Sequence, residues 1–468
     1  MGLKAAGDYG AKKVFIEKFG DSIANFESLY ATREAIGADR THTVVVQDGN
    51  VLLMQTPTNI DTFMAYKEYM INQIQIGINA GEHVVVCFDE PENITEAKKA
   101  EQNARDARRT VKTPICSVDL VACPVDDHYD RAALEDPGLN VRLLMDHRQA
   151  RSRFFDAVCC DVLAYFRTEM PSMIGWSLTF DGIDARGVDR PRGEKRVPGV
   201  VTSHPVWEQI LVREHPVGEG DLKLPAVCHA VTSWRRRNAA TKDVAVTNIR
   251  LFLLQTIDTD SLVIELIQQS RREAEAYVAN DESKMETVLL CLREPARKRK
   301  PEDGGGFSNA YFRCIDVESM HTELMSYLFL NPDKTSFVDR RAAVVLFAAC
   351  IALCGSDFVE IPGLRSDLMM SAVRESVRHT PDVLRFAYMA YTGVASSTAE
   401  VVKALSFVID AYVSDLTNET NVHMRKKREQ ASNIHDLQLL RGAWLAAYWT
   451  GNEFKETHDW GFNATSKA

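Results

Sequence analysis

Apolar runs that end in an acid recur along this chain. Residues 250–262 read RLFLLQTIDTDSL: the run 251–254 has the unbroken apolar character of a strand buried on both faces. It delivers Asp258 and Asp260 and then opens a helical pattern at Ser261. Residues 41–53 repeat the pattern, with Val44-Val45-Val46 leading to Asp48, and residues 83–88, HVVVCF, lead to Asp89. Between these two strands, Phe63, Tyr66, Met70 and Ile74 recur at helical spacing and predict a helix over 62–81. Helices are also predicted over 149–170, 262–278 and 336–354 and through most of the chain to residue 451. Shorter apolar runs predict strands at 174–180 and 209–212, and a pair at 286–292 and 310–315. The stretch 181–199, rich in Gly, Pro and Arg, reads as an exposed loop. Glu219 and Asp221 precede a helix whose Pro225 suits only a first turn, which places the start at 222–224 and leaves both acids at its N-terminal end. That helix closes on Trp234-Arg-Arg-Arg-Asn238, a basic end with a C-cap residue.

Composition narrows this picture without deciding it. With 468 residues and 45% hydrophobic content the chain has room for one large or two ordinary domains. No run of about 18 apolar residues appears, and residues 1–13 lack an apolar signal core, so an intracellular chain of the nucleus or cytoplasm is expected, neither secreted nor membrane-spanning. Gly2 does not complete a myristoylation motif, because Ala6 stands where Ser or Thr is needed. Ten cysteines without C-x-x-C or zinc spacing fit buried thiols in a reducing compartment. The net charge of −10 speaks against a general polyanion binder, so any nucleic-acid contact must come from local basic patches.

Taken singly, each acid has an ordinary explanation. Asp258 and Asp260 can cap the following helix, and Asp48-Gly49 suits a hairpin turn. In a parallel sheet, however, strand ends share one edge, where open α/β folds bind ligands. Asp48, Asp89, Glu219, Asp221, Asp258, Asp260 and Asp357 are the candidates, the last in Gly355-Ser-Asp357-Phe after an apolar helix. Clustered carboxylates repel one another unless cations bind, and hard oxygen donors point to Mg²⁺ or Mn²⁺. Two such ions about 4 Å apart form the usual clamp for phosphodiester hydrolysis. No P-loop, GxGxxG or Ser-His-Asp pattern competes with this reading. Residues 95–109 (TEAKKAEQNARDARR) read either as a solvated helix or as a cationic face over the acids, with Lys98 and Arg105 two turns apart and Lys99, Arg108 and Arg109 nearby. Arg297 to Lys300 suits an exposed loop, a localisation patch or a nucleic-acid contact.

The ordered set resembles the flap-endonuclease and Xrn-type 5′-nucleases, relatives of PIN domains. The matches run from Met1-Gly2-Leu3 through the Asp48 strand, Phe88-Asp89 with its Lys/Arg helix, Gly218-Glu-Gly-Asp221 and Thr256-Ile-Asp258-Thr-Asp260-Ser-Leu262 to Gly355-Ser-Asp357-Phe358. The resemblance implies an α/β, PIN-like fold with a mostly parallel central sheet flanked by helices and a helical C-terminal region. The catalytic domain would cover 1–365, with insertions around 110–200 and 280–310, and the helical region 366–468. The implied activity is metal-dependent hydrolysis of RNA or DNA with a free 5′ end or 5′ flap. Asp48, Glu219 and Asp221 would largely serve one of two Mg²⁺ or Mn²⁺ ions and Asp258, Asp260 and Asp357 the other or both, with Asp89 close by. Lys98 and Arg105 would draw the scissile phosphate onto them, and Lys99, Arg108 and Arg109 would bind nucleic acid. Asp48-Gly-Asn50 and residues 216–223, PVGEGDLK, are similar to the Xrn branch, and 361–366 lacks the Gly-x-Gly hairpin of flap endonucleases. A catalytically inactive nucleic-acid-binding or scaffolding protein is the alternative. A phosphatase with an Asp-x-Asp nucleophile fits less well, because no such pair follows the Asp48 strand.

Overall fold

The β-branched and leucine runs form the central strands of the computed structural model. It describes residues 11–54, 60–89, 148–169, 177–181, 199–202, 219–238, 248–258, 260–278, 286–294, 310–356, 364–385, 398–414 and 434–450, with 141, 206–207, 210, 359, 361 and 387. The first elements are α1 (Ala11–Lys18), β1 (Ile23–Phe26), α2 (Leu29–Ile36), β2 (Thr43–Asp48), α3 (Gly49–Met54), α4 (Phe63–Ala80) and β3 (His83–Cys87). Then come α5 (Arg148–Glu169), β4 (Ser177–Asp181), β5 (Gly199–Thr202), α6 (Gly220–Arg237), β6 (Leu251–Thr256), α7 (Asp260–Val278), β7 (Thr287–Glu294) and β8 (Tyr311–Asp316). The chain continues with α8 (Val317–Leu328), α9 (Phe337–Leu353), α10 (Ser366–His379), α11 (Thr398–Ser414) and α12 (Asp436–Trp449).

The sheet has eight strands in the order β1-β8-β7-β6-β2-β3-β4-β5. β2 pairs in parallel with both β3 and β6, β3 with β4 and β6 with β7, while β4 and β5 are antiparallel. The protein is therefore α/β with a mixed, mostly parallel sheet flanked by helices. Every residue of β2, β3 and β6 is buried, as unbroken apolar strands require. From β2 the chain steps one way across the sheet to β3 and β4; from β6 it steps the other way to β7 and β8. The order thus reverses between β2 and β6. α4 packs on β2 and β3, and α6 packs on β2, β3 and β6.

Residues 25–257 and 286–313 form one compact unit, and residues 1–24, 258–285 and 314–468 form the other. The sheet-bearing unit holds the strand ends just described. The second unit is built around α9, in which every residue from Ala342 to Leu353 is buried, the mark of a core helix. Within that unit α9 packs against α7, α10 and α12. α12 comes close at Gly442, where a Cβ would lie 2.5 Å from Leu353 Cδ2. Helices 260–278 and 317–353 cluster with the C-terminal helices. Among the described residues no helix is long and apolar enough to cross a membrane, and the described cysteines are free thiols.

Several local expectations change. Asp48-Gly49 is not a hairpin turn: Gly49 opens α3, and β2 has parallel neighbours on both sides. Parallel pairs need crossover connections rather than tight turns. Of the strand expected at 209–212, Ile210 is helical and the other three residues lie outside the described ones. β5 occupies Gly199–Thr202, beginning on the last residue of the expected loop. α6 starts at Gly220 rather than 222–224, which puts Pro225 inside the helix. Pro225 has no N–H to give to the carbonyl of Asp221, a loss that packing against three strands offsets. The basic end is as expected, with Asn238 as C-cap and its Nδ2 2.8 Å from the Trp234 carbonyl.

Gly49 also carries a prediction. A Cβ there would stand 2.4 Å from the ring of buried Phe88. Gly→Ala in a helix is ordinarily favourable by up to about 1 kcal/mol, so the clash alone decides the sign. Gly49→Ala is expected to lose about 1–3 kcal/mol in urea unfolding. An unchanged midpoint would mean that the Phe88 ring turns aside freely.

Candidate metal centre

The reversal between β2 and β6 is the topological switch point, where open α/β sheets bind ligands outside the carboxyl ends of the strands. Asp48 is the last residue of β2, level with Cys87 on β3. Gln47 faces Gln255 on β6, which sets Asp48 beside Thr256. Asp89 and Asp258 each lie two residues beyond those neighbours. Side chains alternate along a strand, so a step of two keeps to one face. The place of Asp258 thus follows from the end of β6. From the chain's other side α6 brings Glu219 as N-cap and Asp221 in the first turn.

A carboxylate oxygen from each of Asp48, Asp221 and Asp258 lies within 4.8 Å of the other two. Asp48 and Asp221 are buried and Asp258 is half-buried. Among the described residues this is the one such group of His, Cys, Asp or Glu. Three hard oxygen donors facing one point can hold a divalent cation, and the set matches Mg²⁺ or Mn²⁺ better than a softer metal.

The carboxylates are held by their own neighbours. Asp48 Oδ1 accepts from the amides of Asn50 (3.0 Å) and Val51 (3.2 Å), and Oδ2 accepts from Thr256 Oγ1 (3.3 Å). Asp48 therefore caps α3 and points into the cluster at once. Asp89 Oδ1 accepts from the Gly220 amide at 2.7 Å, tying the end of β3 to the start of α6. A Cβ on Gly220 would come 3.3 Å from the Cys87 carbonyl and 3.4 Å from Asp89 Oδ1, so glycine gives this approach its room. Behind the acids, Gln47 Nε2 donates to Gln255 Oε1 at 2.9 Å in the buried sheet. Lys223 lies fully buried on the same turn of α6 as Asp221.

The other expected residues fall in three groups. Glu219 is buried at the N-cap of α6, and Asp89 is anchored to Gly220; neither belongs to the mutual 4.8 Å group. Asp260 is the first residue of α7, fully buried and also outside that group. Lys98, Lys99, Arg105, Arg108, Arg109 and Asp357 lie outside the described residues, as do Met1-Gly2-Leu3 and Arg297 to Lys300. Leading to Asp357, Gly355 has φ 148°, a backbone that side chains disfavour. Thr256 and the Gly220 amide are the supports that sequence reasoning missed. A hydroxyl at a strand end and a glycine between two acids were their only signals. Compared with known proteins, the chain matches no family model and no curated relative.

Proposed function

We propose that this chain is a divalent-metal-dependent nuclease of the PIN-like 5′-nuclease kind, hydrolysing phosphodiester bonds in RNA or DNA with a free 5′ end or flap. The observation that supports the reading is the meeting of Asp48, Asp221 and Asp258 at the switch point of a parallel sheet. A structural explanation accounts for Asp48 as a helix cap and Asp221 as a first-turn acid; it gives no reason for three acids to face one another where each repels the next. When bound, a divalent ion supplies Lewis acidity toward a phosphate oxygen and a more acidic water.

The protein's own residues do the rest. Asp48, Asp221 and Asp258 hold the cation, while Thr256 and the amides of Asn50 and Val51 fix the direction of both Asp48 oxygens. Glu219, Asp89, Asp260 and Asp357 extend the ligand set toward a second ion in the proposed mechanism. Lys98 and Arg105 carry the role of steering the scissile phosphate and offsetting its developing charge. The ordered acid motifs and this meeting point support a 5′-nuclease over a hydrolase of another kind.

The test is a cleavage panel of 5′-phosphorylated RNA, single-stranded DNA and a flapped duplex, with product lengths read in Mg²⁺, Mn²⁺ and EDTA. Metal-dependent products are expected. Mononucleotides from RNA would indicate the Xrn-like mode, and release of an intact flap the endonuclease mode. Equal cleavage in excess EDTA, or none in any metal, would end the proposal.

A further inference from the structure

The geometry points to a phosphate-binding pocket at the C-terminal end of α6 that grips the nucleic-acid strand far from the metal centre. This inference rests on the nuclease reading for the identity of the strand. His229, Ser233, Arg236 and Arg237 line an open cavity of about 420 Å³. They fall at i, i+4, i+7 and i+8, so two successive turns present them on one face. His229 Nε2 lies 3.3 Å from Ser233 Oγ, which joins the two polar groups across a turn.

Arginines at a helix C-terminus also favour the helix dipole, and that explanation must be weighed first. It suits Arg235, which pairs with Glu286 and donates to the Ile249 carbonyl at 3.2 Å. Arg237 Nε likewise donates to the Ser233 carbonyl at 3.2 Å, and with Arg236 it also lines the cavity, Arg236 half-buried and Arg237 exposed. Two guanidinium groups, a hydroxyl and an imidazole form a donor set suited to phosphate oxygens. The chain as a whole carries −10, so a strand binds where positive charge is concentrated.

The helix connects this pocket to the acids. Besides Trp234 and Arg235 in the last turn, residues 222, 226, 229, 233 and 236 of α6 are half-exposed, at alternating steps of four and three. That spacing is a single stripe on one face. It begins one residue after Asp221 and ends in the basic pocket. Fifteen residues separate Asp221 from Arg236, about 22 Å of helix. At a stacked spacing of about 3.4 Å per nucleotide, roughly six nucleotides cover that length.

The test uses the full chain in EDTA, where cleavage stops, and fluorescence anisotropy with labelled 12-nucleotide single strands and a labelled dinucleotide. Arg236→Gln/Arg237→Gln is expected to weaken 12-mer binding about tenfold and to reduce the slope of log K against log salt by about 1.4, the value for two phosphate contacts. The dinucleotide is too short to join the two ends of α6, so the loss should be confined to the longer strand. Arg236→Lys/Arg237→Lys should keep most of the salt slope. Unchanged affinity and slope in the Gln variant would overturn the pocket even if the protein cleaves in Mg²⁺, leaving the nuclease reading intact. The expected loss in a protein that cleaves nothing would uphold the pocket and remove that reading. A fall in melting temperature that accounts for the whole loss would make the arginines structural and overturn the pocket.

Discussion

Asp258→Asn is expected to melt higher than the parent protein in EDTA and to lose the stabilisation that millimolar Mn²⁺ gives the parent. Without a cation, Asp48, Asp221 and Asp258 hold carboxylate oxygens within 4.8 Å of one another. Replacing one by a neutral amide relieves that repulsion, an effect on the order of 1 kcal/mol for partly solvated charges. The parent recovers the difference on binding metal: at a free ion concentration 100 times the dissociation constant, binding stabilises the folded state by about 2.7 kcal/mol. Asp258 is the best of the three to change, because it is half-buried and lies beyond the last residue of β6. Asp48 also caps α3, so its replacement mixes two effects. If the proposed reaction occurs, Asp258→Asn should slow it on the order of 1000-fold while leaving substrate binding largely intact. Thermal melts of both proteins with and without Mn²⁺ decide the metal question independently of activity. A variant that melts lower than the parent in EDTA, or gains equally from Mn²⁺, would show that the cluster does not hold the ion.

The difference between what could and could not be read from sequence is physical. β2, β3 and β6 were legible because a strand covered on both faces must be apolar throughout, and 44–46, 84–86 and 251–254 are. β5 was not: Gly-Val-Val-Thr is too short to show a period, and its antiparallel partner β4 supplies the context. The start of α6 was misplaced because a rule about Pro225 is local, whereas packing of the helix on three strands is not. At Asp48-Gly49 the residues allow either a hairpin or a cap. Parallel neighbours on both sides leave only the second.

The acids at the site show the same division. That Asp48, Asp221 and Asp258 stand at element ends could be seen in the chain; that their oxygens meet depends on register, with Gln47 opposite Gln255 and Asp48 opposite Cys87. No spacing in the sequence announces Thr256 as the donor to Asp48, or the Gly220 amide as the donor to Asp89. The stripe along α6 is of the same kind. Trp234-Arg-Arg-Arg reads as a basic helix end, and only the pairing with Glu286 separates Arg235 from the two arginines beside the cavity.

The contribution of Glu265 to stability is expected to fall as pH rises from 4.5 to 7. This residue lies on α7, 1% exposed, and burial pushes its carboxyl from 4.5 up to about 7. Arg272, with Nη1 3.6 Å from Glu265 Oε2, draws it back only in part. Arg272 also donates to Gln269 Oε1 at 2.8 and 3.1 Å, so its charge is shared. Farther along α7, burial pushes Glu273 up as well, but its contact with His321 of α8, Gln269 and the charge of Arg340 on α9 outweigh that, and its carboxyl ends below the usual value. The two acids therefore act in opposite directions. For Glu265 the folded state keeps its proton where the unfolded chain has lost it. Its contribution is complete below pH 4.5 and disappears as pH passes 7, a change of about 3 kcal/mol. Glu265→Gln keeps the neutral shape and removes the titration. Urea unfolding of both proteins at pH 5, 6, 7 and 8 should show the variant's relative stability rising by about 2.5 kcal/mol across that range. A difference that stays constant with pH would mean that Glu265 is already ionised beside Arg272 throughout.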